Sequence, residues 1–109
     1  MTKKQTISSG DDLLKTLSAL ANPHRLRIIA ALQSGGRNYV SQMARELNIS
    51  RPLLHLHLQK LEAAGLVSSQ HELSHDGKAL NYFEVTAFHL ALTPAEIATA
   101  AATLSSNET

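Results

Sequence analysis

Apolar residues recur at helical spacing in five stretches of this chain and at strand-like spacing in two others. The clearest stretch is residues 48–67, NISRPLLHLHLQKLEAAGLV, where Leu54, Leu58 and Leu61 share one helical face at i, i+4 and i+7. Ser50 precedes that run as a capping residue, and Pro52 stands in the first turn, where a missing amide hydrogen costs nothing. Gly65 suits the left-handed residue that closes a helix, with Leu66 folding back on Leu61 as in a Schellman ending. These signals predict a helix over residues 51–64.

The same reading extends along the chain. Ser9 followed by Asp12 makes a short capping box for a helix over residues 11–21, with Leu13, Leu17 and Leu20 on one side. Asn22-Pro23 restarts a second helix that runs to Gly35-Gly36, and Tyr39-Val40 has room for one or two residues of strand. Ser41 is expected to cap a short third helix over residues 42–47, with Met43, Ala44 and Leu47 inward, before the turn Asn48-Ile49-Ser50. Beyond Gly65 the period changes: residues 66–73 and 80–85 read as strands, and Asp76-Gly77 marks the turn between them. Thr93-Pro94-Ala95-Glu96 opens a last helix carrying Ile97, Ala98, Ala101 and Leu104 on one side. The expected fold is mainly α with a small β-hairpin, a winged helix-turn-helix of about five helices and a two-stranded wing. It places a flexible segment at residues 1–10, the domain at 11–104 and a flexible tail at 105–109.

Composition narrows the use of that fold. A chain of 109 residues makes one domain with a modest core, and only four aromatic residues leave that core to Leu, Ile, Val and Ala. The chain has no cysteine, hence no disulfide, thiolate metal site or thiol nucleophile. It carries no apolar run near eighteen residues and no signal-like start, so a cytoplasmic protein without membrane association is expected. A formal net charge of +1 conceals an uneven spread. Residues 1–60 hold nine of the ten Lys and Arg against Asp11, Asp12 and Glu46, while the remainder has Lys78 against six carboxylates. A basic front half containing the helix over 51–64 fits a one-sided phosphate-binding surface.

The run from Leu17 to Ile29, LSALANPHRLRII, then Met43 to Ser50, MARELNIS, and then Pro52 to Val67 with His57-Leu58 and Ala64-Gly65-Leu66-Val67, resembles the ArsR-type winged-helix repressors. The likeness covers roughly residues 11–104. It implies a homodimeric, promoter-binding regulator, with the first and last helices forming the dimer interface and the fourth helix in the DNA major groove. Independently, the apolar stripes of those terminal helices, Leu13, Leu17 and Leu20 with Ile97, Ala101 and Leu104, lack an obvious partner in so small a monomer.

With Leu54, Leu58 and Leu61 inward, Pro52, Leu53, His55, Leu56, Gln59 and Lys60 point outward. Arg51, His55 and Gln59 are the polar candidates for contacts to bases or phosphates of double-stranded DNA, and Ser41 and Gln42 at the start of the third helix are candidates for phosphate. Lys78 stands at the wing tip. Leu53 and Leu56 depart from the small polar or basic residues usual at such positions; they fit a thymine methyl or, alternatively, a protein interface.

His55 and His57, two residues apart on a helix, diverge by about 200° and cannot chelate one ion. His57, beside the inward stripe, is expected to hydrogen-bond structurally. His71 and His75 flank the wing with Glu72 and Asp76, as polar wing residues rather than ligands. The third helix has neither Cys nor His and the last has only Glu96, which argues against metal sensing by the relatives' usual routes. No nucleophile turn, phosphate loop or paired carboxylates point to an enzyme, and no cofactor is expected. The expected function is a homodimeric DNA-binding regulator, most simply a repressor. The alternatives are a winged helix used for protein interaction and a regulator responsive to pH or to an unidentified small-molecule effector. If His55 or His75 must be charged to hold DNA, affinity falls between about pH 6 and pH 8, and equal affinity at the two ends removes the pH reading.

Overall fold

The computed structural model describes residues 5–6 and 9–105. Its elements in chain order are β1 (Gln5–Thr6), α1 (Gly10–Leu20), α2 (Pro23–Gly35), β2 (Asn38–Tyr39), α3 (Val40–Leu47), α4 (Arg51–Ala63), β3 (Val67–Leu73), β4 (Ala79–Val85), β5 (Phe88–His89) and α5 (Pro94–Ala101). Helices α1, α2, α4 and α5 start on the caps their sequence announces. Ser9 Oγ accepts the Asp12 N–H at 3.1 Å, and Asn22 Oδ1 accepts from His24 and Arg25. Ser50 Oγ accepts from Leu53 at 3.3 Å, and Thr93 Oγ1 accepts from Glu96 at 3.0 Å. These side chains satisfy amides that have no carbonyl partner within the first turn.

The end of α4 is a complete Schellman motif. Gly65 has φ +78°, its N–H donates to Glu62 O at 2.9 Å, and the Leu66 N–H donates to Leu61 O at 3.0 Å. Leu61 and Leu66 are both fully buried, which supplies the apolar contact of the motif. The turn between α3 and α4 depends on Asn48, which has φ +55° and donates its N–H to Arg45 O. Asparagine adopts that left-handed conformation more readily than other side chains bearing a Cβ.

The core lies where α2, α3, α4 and the base of the sheet meet. Ile28, Leu32, Met43, Leu54, Leu58, Leu61, Leu66 and Val67 are buried there, closed by Phe83. The hairpin expected from Asp76-Gly77 is present, with Val67 opposite Val85 and Leu73 opposite Ala79, and Gly77 takes φ +83° in the turn. It is one strand wider than expected. Asn38 and Tyr39 pair antiparallel with Phe83 and Tyr82, giving the order β2-β4-β3 and covering the free edge of β4.

That pairing corrects the expected start of the third helix. The cap position falls on Tyr39, extended at φ −105° and ψ 159°, and no side chain makes a capping hydrogen bond; Ser41 is inside the first turn. Strand β2 hands the chain directly into α3, and burial of Val40 draws the helix start forward.

Within the stretch expected to be flexible, residues 1–10, Gln5–Thr6 pair parallel with Phe88–His89, and Gly10 is a buried residue of α1; residues 1–4 and 7–8 lie outside the described residues, as do 106–109 of the expected tail.

Helix α1 turns a different face inward from its leucine stripe. Thr16 and Ala19 are buried, Leu13 and Leu20 are half-buried, and Leu17 is 36% exposed. Helix α5 stops at Ala101 with Ala102 as its C-cap, short of the expected Leu104, and its buried residue is Ala100. The two helices meet at Gly10, where a Cβ would fall 2.4 Å from Ala100 O and 2.7 Å from Leu104 Cδ2. The Gly10 N–H donates to Thr103 Oγ1 at 2.7 Å and the Ser105 N–H to Asp11 Oδ1 at 3.3 Å, so the start of α1 and the residues after α5 satisfy one another. Gly10→Ala is therefore expected to force α1 and α5 apart and to cost about 1–3 kcal/mol. Urea unfolding measures the loss; an unchanged midpoint would show that these helices do not pack so closely in solution.

Candidate nucleic-acid interface

Burial around α4 sorts its residues into two faces. Leu54, His57, Leu58 and Leu61 are buried, while Arg51, Pro52, Leu53, His55, Leu56, Gln59 and Lys60 are exposed. The inward face is locked to α2 through one polar contact. Arg25 Nε–H donates to His57 Nδ1 at 3.2 Å, and Arg25 Nη1 donates to Ser18 O and Ala19 O at the end of α1. One guanidinium thus ties three helices and satisfies carbonyls that α1 itself cannot. His57 has the structural role expected of it.

Because Nδ1 accepts, the neutral ring carries its proton on Nε2, which is buried without a hydrogen-bond partner. Burial holds the His57 imidazole below its ordinary value, and the charges of Arg25 and of His24, whose ring centroid is 5.3 Å away, act in the same direction.

On the outward side, the starts of α3 and α4 and the wing form a groove of two adjoining hollows. Tyr39, Ser41, Arg51 and Leu80 line both, His55 and Asn81 line one, and Arg45, Ser74, Asp76 and Lys78 line the other. Three cations from three elements converge there. Of the residues named from the sequence, Ser41, Arg51, His55 and Lys78 share this groove. Gln42 is adjacent in α3, but its amide donates to Glu46 Oε2 at 2.8 Å. Lys60 lines a separate concavity with Lys15 and Arg25, beside the end of α1. Arg45 and Tyr39 were not singled out from the sequence. The spacing held a signal for Arg45, which stands four residues after Ser41 and so on the same helical face.

The wing tip is fastened internally. Ser74 Oγ binds the Asp76 carboxylate and accepts the Lys78 N–H at 3.1 Å, and the Ser74 N–H donates to Lys78 O at 2.8 Å. The Ser74 hydroxyl holds the Asp76 carboxyl below the usual carboxylate range, helped by the backbone amides of Asp76 and Lys78. At the base of the wing, Arg37 grips Glu72 through both terminal nitrogens, at 2.5 and 2.9 Å, and lies 4.2 Å above the Tyr82 ring. That hydrogen-bonded pairing keeps the Glu72 carboxyl low and raises the Arg37 guanidinium. Arg37 is thus engaged by the wing rather than presented in the groove. Among the described residues no group of three His, Cys, Asp or Glu is placed to hold a metal ion. Nor is any helix among them long and apolar enough to cross a membrane.

Residues 20–70 match the family described as a helix-turn-helix domain. An uncharacterised HTH-type transcriptional regulator from Methanocaldococcus jannaschii is 43% identical over 58 residues, which are 53% of this chain and 60% of that protein. The chain therefore spans about 60% of the length of this relative. Among solved structures, one similar chain is a homodimeric winged helix-turn-helix DNA-binding domain from Mycobacterium bovis, a possible ArsR-family transcriptional regulator. It is 27% identical with a TM-score of 0.61, over 69% of this chain and 64% of that one. The fold is a winged helix-turn-helix. NolR from Sinorhizobium fredii shares it at 26% identity and a TM-score of 0.60, over 84% of this chain and 80% of that one. In winged-helix terms, α3 and α4 are the helix-turn-helix pair and β3–β4 form the wing.

Because the folded state disfavours protonation of His57, the unfolded chain takes up that proton first as pH falls. The contribution of His57 to stability is full above about pH 6.5 and is lost below it. Urea midpoints are expected to fall between about pH 7 and pH 5, and His57→Gln is expected to flatten that slope. An identical slope in the variant would contradict this assignment.

Proposed function

We propose that this chain is a homodimeric, sequence-specific DNA-binding transcription regulator, acting as a repressor by occluding a promoter, with α4 inserted in the major groove. The observation that carries this reading is the pair of adjoining hollows shared by Arg51 of α4 and Ser41 of α3, with His55 of α4 in one and Arg45 of α3 and Lys78 of the wing in the other. The outward residues of the N-terminal half of α4, Arg51, Pro52, Leu53, His55 and Leu56, reach base edges, with Gln59 and Lys60 further along the helix toward the backbone. Ser41, Gln42 and Lys78 contact phosphate or sugar. The helix-turn-helix match and the regulators named among the similar proteins support the same reading.

A dimer completes the site by supplying a second α4, about 34 Å from the first on a pseudo-palindrome. The face available for dimerisation is apolar and open: Leu14 is 59% exposed, Leu17 36% and Ile97 47%, with Leu13, Ala101 and Leu104 alongside. Leu20, of the same stripe, already packs partly against the core.

Binding to duplex DNA from upstream of the gene is expected to weaken linearly in log–log form with salt, by about 0.9 per phosphate neutralised. Arg51→Ala in a folded dimer is expected to lower affinity about tenfold or more, and Lys78→Ala to reduce the salt slope by about one. A flat salt response, or no binding at low salt, would instead favour a protein-interaction module. Leu17→Asp and Ile97→Asp are each expected to give monomers in sedimentation equilibrium and to lose operator affinity; dimers in both would place the interface elsewhere.

A further inference from the structure

The outward face of α4 carries two exposed leucines, Leu53 at 38% and Leu56 at 52%. Leu56 lies about 200° around the helix from buried Leu54, between Pro52 and Gln59, at the crest that projects furthest from the core. Leu53 stands one turn earlier on the flank away from His55. Neither contributes to the core, and a solvated leucine on a DNA-reading helix is costly unless the groove offers it an apolar surface.

Resting on the DNA-binding reading above, we propose that Leu53 and Leu56 are specificity-determining residues that select thymine through its C5-methyl group. The chemistry of the groove restricts the choice. The polar base edges of guanine, cytosine and adenine lose water against a leucine and receive no hydrogen bond in return, whereas the thymine methyl is the apolar group on the major-groove floor. Two leucines three residues apart are separated by about 4.5 Å along the axis, a distance comparable with the spacing of neighbouring base pairs. The surroundings favour a polyanion over a protein surface: Arg51, His55 and Gln59 border the pair on one side, Lys60 follows Leu56 by one turn on the same strip, and Pro52 is the one other exposed apolar residue among residues 51–60. Each half-site therefore contains adjacent or near-adjacent A·T pairs facing α4, with Arg51 and Gln59 reading the polar edges beside them.

The test uses the full chain and a duplex selected from a random-sequence pool, resynthesised with deoxyuridine at the thymines of the half-site. Uracil removes the methyl group and leaves the Watson–Crick edge and the charge unchanged. Wild-type affinity is expected to fall roughly fourfold for each methyl removed. The Leu53→Ala, Leu56→Ala double variant, whose changes lie outside the core, is expected to bind thymine and uracil duplexes equally. Equal wild-type affinity for both duplexes, or a selected site without thymine in its half-sites, overturns the assignment while leaving DNA binding intact. Failure to enrich any duplex overturns both readings and assigns the leucines to a protein partner.

Discussion

The rotational setting of α4 about its own axis governs everything proposed for the molecule, and three leucines impose it. Leu54, Leu58 and Leu61 have no solvent exposure, and they pack in one cluster with Ile28 and Leu32 of α2 and Met43 of α3. A rotation of one residue, about 100°, would expose these side chains and bury Arg51 and His55 in their place. Removing a buried leucine of this kind costs about 2–5 kcal/mol, a large part of the net stability of a small domain. The Schellman ending at Gly65 then fixes where the helix stops and sends Leu66 back into the same core. The outward face of α4 is thus a by-product of its inward face, and its chemistry is free to vary without cost to the fold.

Polar contacts refine this apolar arrangement at its edges. Arg25 joins α1, α2 and α4 through His57 and two carbonyls, and Arg37 ties the connection after α2 to the wing through Glu72. The first is half-buried, at a histidine that burial, and then the charge of Arg25, hold below its ordinary value, so it responds to pH; the second is exposed, in a setting where ion pairs add little to stability. Both hold the helices and wing that frame the groove, and neither guanidinium is presented in it. The basic excess of the first sixty residues is therefore smaller at the groove than along the chain: Arg45 and Arg51 remain there, joined by Lys78 of the wing, with Asp76 beside them.

Most of the fold was legible because its signals are local. Ser50, Pro52 and Gly65 bracket α4 within sixteen residues, and Asp76-Gly77 marks the wing turn without reference to anything distant. What was not legible depends on contacts between remote parts of the chain. Ser41 reads as a cap until Tyr39 is seen paired with Tyr82, forty-three residues away, which moves the helix start to Val40. The leucines of α1 mark its most apolar face, yet its buried residues are Thr16 and Ala19 together with Gly10, where α5 approaches too closely for a side chain. The groove followed the same division. Arg51, His55 and Lys78 could be named from helix phase and turn position, whereas the engagement of Gln42 with Glu46 and the displacement of Lys60 toward α1 required the folded arrangement.

Whether the groove between α3, α4 and the wing receives duplex DNA is tested most directly by amide chemical shifts of the ¹⁵N-labelled protein, followed as a selected duplex is added. Perturbations are expected to concentrate at Ser41, Gln42, Arg45, Arg51 to Gln59 and the wing tip around Lys78, with the exposed face of α2 unaffected. A map centred on α2, or the absence of any perturbation at low salt, would contradict DNA binding in this groove.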